Sequence, residues 1–224
     1  MPPPSYCRTT AYQLFNQQIA DVESAENLFR AAFAIALHEC PEADLAATET
    51  IVENLTDTIS KRAQSNSPQA LLAHLHDVLF DVYGLHGNND DYYNSANSYL
   101  PSVLRSRAGI PISLALVYKR VAEPLGIAVH GINAPGHFLV EVETSTEGPM
   151  YVDPFYSGQV LNKKEITQRI EQATGKQFPP GTPLMSRATH RQWLSRMLNN
   201  LQATFATVGR ERDVLAMQEL QDLL

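Results

Sequence analysis

The stretch GIPISLALVYKRVAEPLG, residues 109–126, decides the fold of this chain. Apolar residues occupy almost every direction around its middle part, and a helix that is apolar all round is a buried one. Pro111 suits the first turn of such a helix, because the missing N–H of proline costs little there. Pro124 and Gly126 then favour a helix end. The stretch therefore predicts a buried central helix that begins at Pro111.

The residues after this helix change from helical to alternating periodicity. Alternation of apolar and polar side chains predicts strands over 127–133, 137–143 and 150–153, with a further short strand over 159–161. Turn-forming residues at 144–149 favour an antiparallel hairpin between the second and third of these strands. We therefore predict a small antiparallel sheet beside the buried helix.

Helical periodicity returns on both sides of this core, with apolar residues three and four positions apart. The further helices predicted cover 10–37, 45–62, 71–82, 100–105, 163–173 and a pair between 193 and 224. The predicted fold class is α+β, in which N-terminal helices and a C-terminal helix pair flank the sheet and the buried helix. We divide the chain into a helical N-terminal region at 1–66, a core at 67–184 and a C-terminal helical segment at 185–224.

Composition and charge limit the classes of function. The chain has 224 residues and a formal net charge of −7, which argues against a general binder of nucleic acid or of anionic membranes. No apolar stretch reaches the ~18 residues that a membrane span needs, and the first twenty residues lack the pattern of a secretory signal. We expect a cytoplasmic protein whose partners are neither nucleic acid nor membrane.

The sequence predicts no metal site and no cofactor. Its two cysteines, Cys7 and Cys40, are too few for a disulfide scaffold or a four-thiolate zinc site. Neither cysteine precedes the buried helix, so both are predicted to be free structural residues. His74 and His76 are two apart on a helix and face different directions.

Three polar residues are predicted to lie around the start of the buried helix. Ser113 is in its first turn, His137 begins a strand after Pro135-Gly136, and Asp153 ends the next strand. A hydroxyl, an imidazole base and a carboxylate that orients the imidazole can together perform nucleophilic catalysis. His137 and Asp153 are 16 residues apart across the predicted hairpin. We therefore expect them to lie opposite each other and in contact.

These stretches resemble the SirB family of bacterial transglutaminase-like proteins, within the wider transglutaminase-like superfamily. The resemblance rests on residues 94–100, 103–114, 125–126, 135–139 and 153–155. It implies a transglutaminase-like, papain-like core, a helical N-terminal part and a short, tetratricopeptide-like C-terminal part. In such enzymes a cysteine at the N-terminus of the buried helix works with the histidine and the aspartate on the strands.

The resemblance also implies a departure from the enzymatic transglutaminases. Their pattern is Gly-x-Cys-x-x-x-Ala, with Leu-Gly fourteen and fifteen residues after the cysteine. Counting back from Leu125-Gly126 places the cysteine position at Pro111, with Ala115 four residues later. Proline has no reactive group, so the resemblance implies a domain that has kept the fold but not an established activity.

Two functions stay open on these residues. The first is a non-catalytic binding or regulatory module for a protein partner. The second is a peptidase, amidase or acyltransferase with Ser113 as nucleophile, His137 as base and Asp153 as orienting residue. The interpretation that we favour makes Ser113 a small polar residue that caps or packs the first turn, and the His137–Asp153 contact a structural relict.

A further group of polar residues lies just before the buried helix: Asn97, Ser98, Arg105 and Arg107. One interpretation is that they line a cleft and bind a carboxylate or a peptide backbone, since arginine offers a fork of donors. The other is that Asn97 and Ser98 form a turn or helix cap while the arginines connect loops. The sequence favours neither.

Overall fold

The structure, a computed structural model, describes residues 3–63, 65, 67–144, 148–179 and 181–224. Its fold class is α+β, as predicted. The helices are α1 (Thr9–Ile19), α2 (Ala25–Ala36), α3 (Leu45–Arg62), α4 (Pro68–His76), α5 (Leu100–Ser106), α6 (Pro111–Ala122), α7 (Lys163–Thr174), α8 (His190–Thr207) and α9 (Glu211–Gln221). The strands are β1 (His86–Gly87), β2 (Ala108–Gly109), β3 (Val129–Ala134), β4 (His137–Val142), β5 (Met150–Asp153) and β6 (Gln159–Leu161).

The central helix α6 begins at Pro111, as predicted, and every residue in it except Arg120 is buried. It ends in a short 3-10 turn, Glu123–Leu125, which Gly126 closes with a φ of 78°. Helix α8 is attached to the start of α6, because Trp193 Nε1 donates to the carbonyl of Ile112 at 3.2 Å. The first turn of α6 is thus held by a hydrogen bond from another helix in addition to the hydrogen bonds of α6 itself.

The main sheet is antiparallel, in the order β3-β4-β5-β6, and the predicted hairpin between β4 and β5 is confirmed. Its turn residues 145–147 lie outside the described residues. The register pairs Val140 with Val152, and its continuation places Asp153 two positions away from direct opposition to His137. The prediction of direct opposition was wrong: the two are diagonal neighbours on one face, still within reach of each other's side chains.

A second, two-stranded sheet positions the loop before α6. Strands β1 and β2 are parallel, with Gly87 paired to Gly109. A Cβ at Gly87 would lie 2.5 Å from the ring of Phe155, so only glycine allows this approach. The loop that follows β1 is therefore held against the end of β5 and the start of α6.

Two helix predictions need correction. The pattern over 10–37 forms two helices, α1 and α2, because Ser24 caps the second one by accepting a hydrogen bond from Asn27 N at 3.0 Å. The pattern over 71–82 begins earlier, at Pro68, and becomes π-helical over Asp77–Val82. Helix α3 is confirmed with its predicted bounds.

One buried apolar cluster contains residues from all three predicted regions, including Phe15, Leu116, Trp193 and Leu220. The boundaries that we assigned to those regions stay a prediction. Within the described residues, no helix combines the length and the apolar character needed to cross a membrane.

Candidate functional site

The site is built around His137, the first residue of β4. The turn that leads into the strand contains Gly136, whose φ of 68° favours glycine. The imidazole of His137 is 5% exposed, and its Nε2 lies 2.8 Å from Oδ2 of Asp153. The predicted contact between these two residues is therefore present.

Asp153 holds that ring in one orientation. Its side chain is fully buried; Oδ1 accepts from the backbone N–H of Phe155 at 3.1 Å, and Oδ2 lies 3.6 Å from Nη1 of Arg169. A carboxylate can only accept a hydrogen bond, so Nε2 of a neutral His137 must carry the proton that it donates to Asp153. Nδ1 of this neutral ring is then unprotonated. Among the described residues, Nδ1 has no hydrogen-bond partner.

A cavity of about 370 Å³ opens beside His137, and we call it the His137 cleft. It is lined by Asn89, Tyr92, Tyr93, Pro111, Gly136, His137, Phe155, Tyr156, Arg169, Gln172 and Ala173. Aromatic rings dominate its wall, and Phe155 and Tyr156 lie with their centroids 6.2 and 6.3 Å from the imidazole. The described lining contains neither a carboxylate, a thiol nor an aliphatic hydroxyl.

A second, smaller cavity of about 140 Å³ adjoins the first, and we call it the α8 pocket. Tyr92 and Tyr93 line both cavities. The far side of the α8 pocket is formed by the polar end of α8, including Asn200 and Thr204, and by Ser98.

Ser113 lies in the first turn of α6, where its hydroxyl bonds to the backbone. Its side chain is fully buried, and Oγ lies 2.6 Å from the carbonyl of Asn97 and 2.9 Å from that of Ile110. A hydroxyl has one proton, and in this position it is directed to backbone carbonyls. Within the described residues, the structure forms no hydrogen bond between Ser113 and His137.

Asn97 holds the loop that carries Tyr92. Its Nδ2 donates to the carbonyls of Asp91 at 2.6 Å and Tyr92 at 3.2 Å, and its Oδ1 accepts from Asn88 at 2.9 Å. The backbone carbonyl of Asn97 receives Ser113. Asn97 therefore joins the start of α6 to the wall of the cleft.

Arg105 and Arg107 are exposed and lie outside the described lining of both cavities. Arg107 adopts a left-handed φ of 61°. Its guanidinium carbon lies 5.3 Å from the ring centroid of Tyr83. The structure thus brings neither arginine to His137.

Two other arginines, which the sequence did not connect with His137, lie close to it. Arg169 of α7 stacks on Tyr156, with its guanidinium carbon 3.7 Å from the ring centroid. Arg196 of α8 donates to the carbonyls of Ala134 at 2.8 Å and His137 at 2.9 Å. Both lie far along the chain from β4, so no local pattern could have connected them with His137.

The two cysteines lie apart from this site. Burial raises the pKa of the Cys7 thiol to about 12 and also raises the pKa of Cys40. Both groups are therefore held as thiols at neutral pH. Among the described residues, no cluster of three or more His, Cys, Asp or Glu side chains could hold a metal ion.

Several known proteins are similar to this chain. It is 35% identical over 187 residues to a UPF0162 protein of Xylella fastidiosa, a match covering 82% of this chain and 66% of that protein. It is 24% identical over 149 residues to a UPF0162 protein of Haemophilus influenzae, covering 66% of this chain and 54% of that protein. The chain therefore spans less than the full length of these relatives.

A eukaryotic protein also matches. F-box only protein 21 of Mus musculus is 33% identical over 153 residues, which cover 65% of this chain and 23% of that protein. No solved structure matches the chain. Residues 45–199 match the family described as the transglutaminase-like superfamily. That range contains the buried helix, the whole main sheet and His137 with Asp153, and the chain belongs to the transglutaminase-like superfamily.

Proposed function

We propose that this protein is a non-catalytic, transglutaminase-like module that uses the His137 cleft to hold a segment of a protein partner. The observation that carries the proposal is the place of Pro111. It lines the cleft together with His137, in the first turn of α6. By the resemblance set out above, that is the position of the catalytic cysteine in enzymatic transglutaminases. Proline offers no atom that can attack a substrate.

The other lining residues support this proposal. Covalent acyl transfer of the transglutaminase kind needs a nucleophile beside the acid–base pair, and the described lining supplies neither a thiol nor an aliphatic hydroxyl. The two cysteines lie elsewhere, and the hydroxyl of Ser113 is directed to Asn97. The His137–Asp153 pair then serves to fix the floor of a binding cleft.

The exposed aromatic rings support a role in recognition. Tyr93 is 77% exposed, and Tyr92 and Tyr156 are also exposed at the cleft. Tyrosines at the mouth of a cavity commonly anchor protein partners. The relatives named F-box only protein 21 are compatible with a protein-interaction module. A SirB-type kinship, a tetratricopeptide-like C-terminal segment and a cytoplasmic location belong to the same proposal.

The alternative is a peptidase, amidase or acyltransferase that uses Ser113, His137 and Asp153. The observation that favours it is the intact contact between His137 and Asp153, with Nδ1 unprotonated in the neutral ring. For this chemistry Ser113 would have to leave the carbonyl of Asn97 and turn its hydroxyl toward His137.

An activity assay separates the two functions. The full chain is incubated with a p-nitrophenyl ester, a fluorogenic peptide pool and an amine-incorporation substrate. We expect the same background rates for the wild type and for His137→Ala. Turnover by the wild type that disappears in both Ser113→Ala and His137→Ala would establish the enzyme instead.

A crosslinking experiment tests the binding role. A photoreactive amino acid replaces Tyr93 in the native host, and adducts of the full chain with other proteins are identified. Ala173 lines the cleft and is exposed, so we expect Ala173→Trp to fill the cleft and to abolish the adduct. The matched control is Ala47→Trp, at an exposed position of α3. An adduct that survives Ala173→Trp would contradict binding at the cleft.

A further inference from the structure

The charge of the His137 cleft contrasts with that of the whole chain. The chain has 24 acidic and 17 basic residues, yet the described lining of the cleft includes Arg169 and no carboxylate. Asp153 contacts two of the lining residues. It is fully buried and shared between His137 and Arg169. The described lining therefore carries one guanidinium and no carboxylate, and the buried Asp153 that contacts this guanidinium offsets part of its charge.

Arg169 is held in place before any ligand arrives. Its ring contact with Tyr156 supports the flat face of the guanidinium, and Nη2 donates to Oε1 of Gln159 at 2.8 Å. These contacts, with Nη1 beside Asp153, fix the fork of donors while the side chain remains 16% exposed. An arginine oriented in this way is suited to receive a carboxylate.

A second cation, Arg196, contacts the backbone of His137 beside the cleft. Arg196 donates to Asn133, to the carbonyl of Ala134 and to the carbonyl of His137, and all three acceptors are neutral. Within the described residues no carboxylate pairs with it. A partly buried charge without a counter-ion is unfavourable, and an anion in the cleft would offset that cost.

The start of α6 adds a partial positive charge to that of the two arginines. The N-terminal end of a helix carries a partial positive charge, and Pro111 places that end at the cleft. The effect is small beside that of the two arginines, but it has the same sign.

The two neighbouring cavities indicate the kind of anion. The cleft of about 370 Å³ and the α8 pocket of about 140 Å³ share Tyr92 and Tyr93 as lining residues. A free small carboxylate would occupy only one of the two cavities. An extended segment can occupy both, with one side chain directed to Arg169 and its neighbours packed on the tyrosines.

We propose that the segment held in the His137 cleft is an extended peptide whose acidic side chain, a glutamate or an aspartate, pairs with Arg169. This inference rests on the proposed binding function and names the chemistry of the partner. The fork of Arg169 takes the carboxylate, and Arg196 and the start of α6 stabilise its charge.

The test uses the ¹⁵N-labelled full chain and three pools of acetylated, amidated pentapeptides with random neutral flanks. The central residue is Glu, Gln or Lys. Binding is followed by chemical-shift changes of the backbone amides of Tyr92, His137 and Ala173. We expect the Glu pool to bind about fivefold to tenfold more tightly than the Gln pool, because a charged acceptor strengthens the hydrogen bonds to arginine. This preference should shrink as salt is raised.

Two variants assign the preference to the arginine. We expect Arg169→Gln to abolish the Glu preference and Arg169→Lys, which keeps the charge without the fork, to retain part of it. The matched control is Arg62→Gln, since Arg62 forms an exposed ion pair with Asp77 on other helices; it should keep the full preference. The salt dependence in the wild type needs no variant, so it tests the inference even if Arg169→Gln unfolds.

The possible results distinguish this inference from the proposed function. Equal binding of the Glu and Gln pools at the cleft, or a preference for Lys, overturns the acidic segment but leaves a peptide-binding module. A Gln pool with a free C-terminal carboxylate is run in parallel, and preference for it alone overturns the side-chain assignment in favour of a chain end. Absence of shifts with every pool overturns the inference, while the crosslinking experiment at Tyr93 tests the proposed function without these peptides.

Discussion

Two regions of the molecule place a histidine beside a cavity, and they do so with different partners. His137 faces the cleft of about 370 Å³, and its Nε2 lies 2.8 Å from a buried carboxylate. His76 faces a larger cavity of about 900 Å³ between α4 and the β5–β6 edge, and its Nε2 lies 2.9 Å from the phenol of Tyr118. One ring is held by a charge and the other by a neutral hydroxyl.

This difference teaches that the size of a cavity does not identify the site. The larger cavity holds a histidine whose pKa is lowered by burial, and that ring serves the packing of His76 with Phe80 and Tyr118. The smaller cleft combines an oriented imidazole, a fixed arginine and exposed tyrosines. Polar groups that converge on one space make this cleft the site where we propose that a partner binds.

The largest effect is expected from removing the charge that holds His137. Asp153→Ala leaves His137 and Arg169 without their shared acceptor and Phe155 N without its cap. Breaking a buried charged pair in this way costs about 3–5 kcal/mol of the free energy of unfolding. Urea unfolding measures the cost. Tyr118→Phe, which removes the neutral partner of His76, should cost only about 1 kcal/mol; equal costs would contradict the comparison.

An intermediate effect is expected from restoring a thiol at the cleft. Pro111→Cys places sulfur at the start of α6 beside His137, where the helix end and the imidazole favour the thiolate. The matched control is Ala73→Cys, which lines the cavity of His76. We expect iodoacetamide to alkylate the first thiol about tenfold faster than the second at pH 7, measured by mass spectrometry.

The rate of alkylation at Cys in the Pro111→Cys variant should fall to that of Ala73→Cys when His137→Ala is added. Equal rates in the two single variants would mean that the surroundings of His137 no longer activate a thiol. Cys7 and Cys40 serve as internal references, since their raised pKa values keep them slow to react.

The smallest effect concerns pH and the other histidine. Burial lowers the pKa of His76 below its ordinary value of 6.5, so the unfolded chain binds more protons at that residue than the folded chain does. The stability from the neutral ring is therefore complete above pH 6.5 and is lost as the pH falls through the lower, folded-state pKa.

We expect the free energy of unfolding to fall between pH 7 and pH 5.5, with at most about 1.4 kcal/mol per pH unit from His76. His76→Gln should make this decline shallower, and urea unfolding at several pH values measures it. His190, whose pKa is also lowered by burial, accounts for part of the decline that remains. Parallel curves for the wild type and His76→Gln would contradict the assignment.

The elements that the sequence predicted well are those set by neighbours in the chain. Helix α6 was predicted from the apolar side chains around its whole circumference and from Pro111 at its start. Strands β4 and β5 were predicted from the alternation of apolar and polar side chains. The contact of His137 with Asp153 followed from a short hairpin, although the register places them diagonally rather than opposite. Local pattern was sufficient where the contact lies within one helix or across one hairpin.

The parts that the sequence could not provide depend on distant contacts. Arg169 and Arg196 reach the cleft from α7 and α8, and their positions follow from packing on the sheet rather than from any motif. Arg105 and Arg107 lie near α6 in the chain, yet their side chains lie outside the described lining of the cleft. Ser113 is in the first turn as predicted, but the carbonyl of Asn97, sixteen residues away, holds its hydroxyl.

Pro111 also has a consequence at the level of the gene. Every proline codon becomes a serine codon by one base change, whereas a cysteine codon requires more than one. A lineage with proline at the start of α6 therefore cannot regain the thiol in a single mutational step. The serine that it can reach in one step would stand at the cleft beside His137, unlike Ser113. The shortest mutational route to a nucleophile at position 111 therefore leads to a hydroxyl rather than to sulfur.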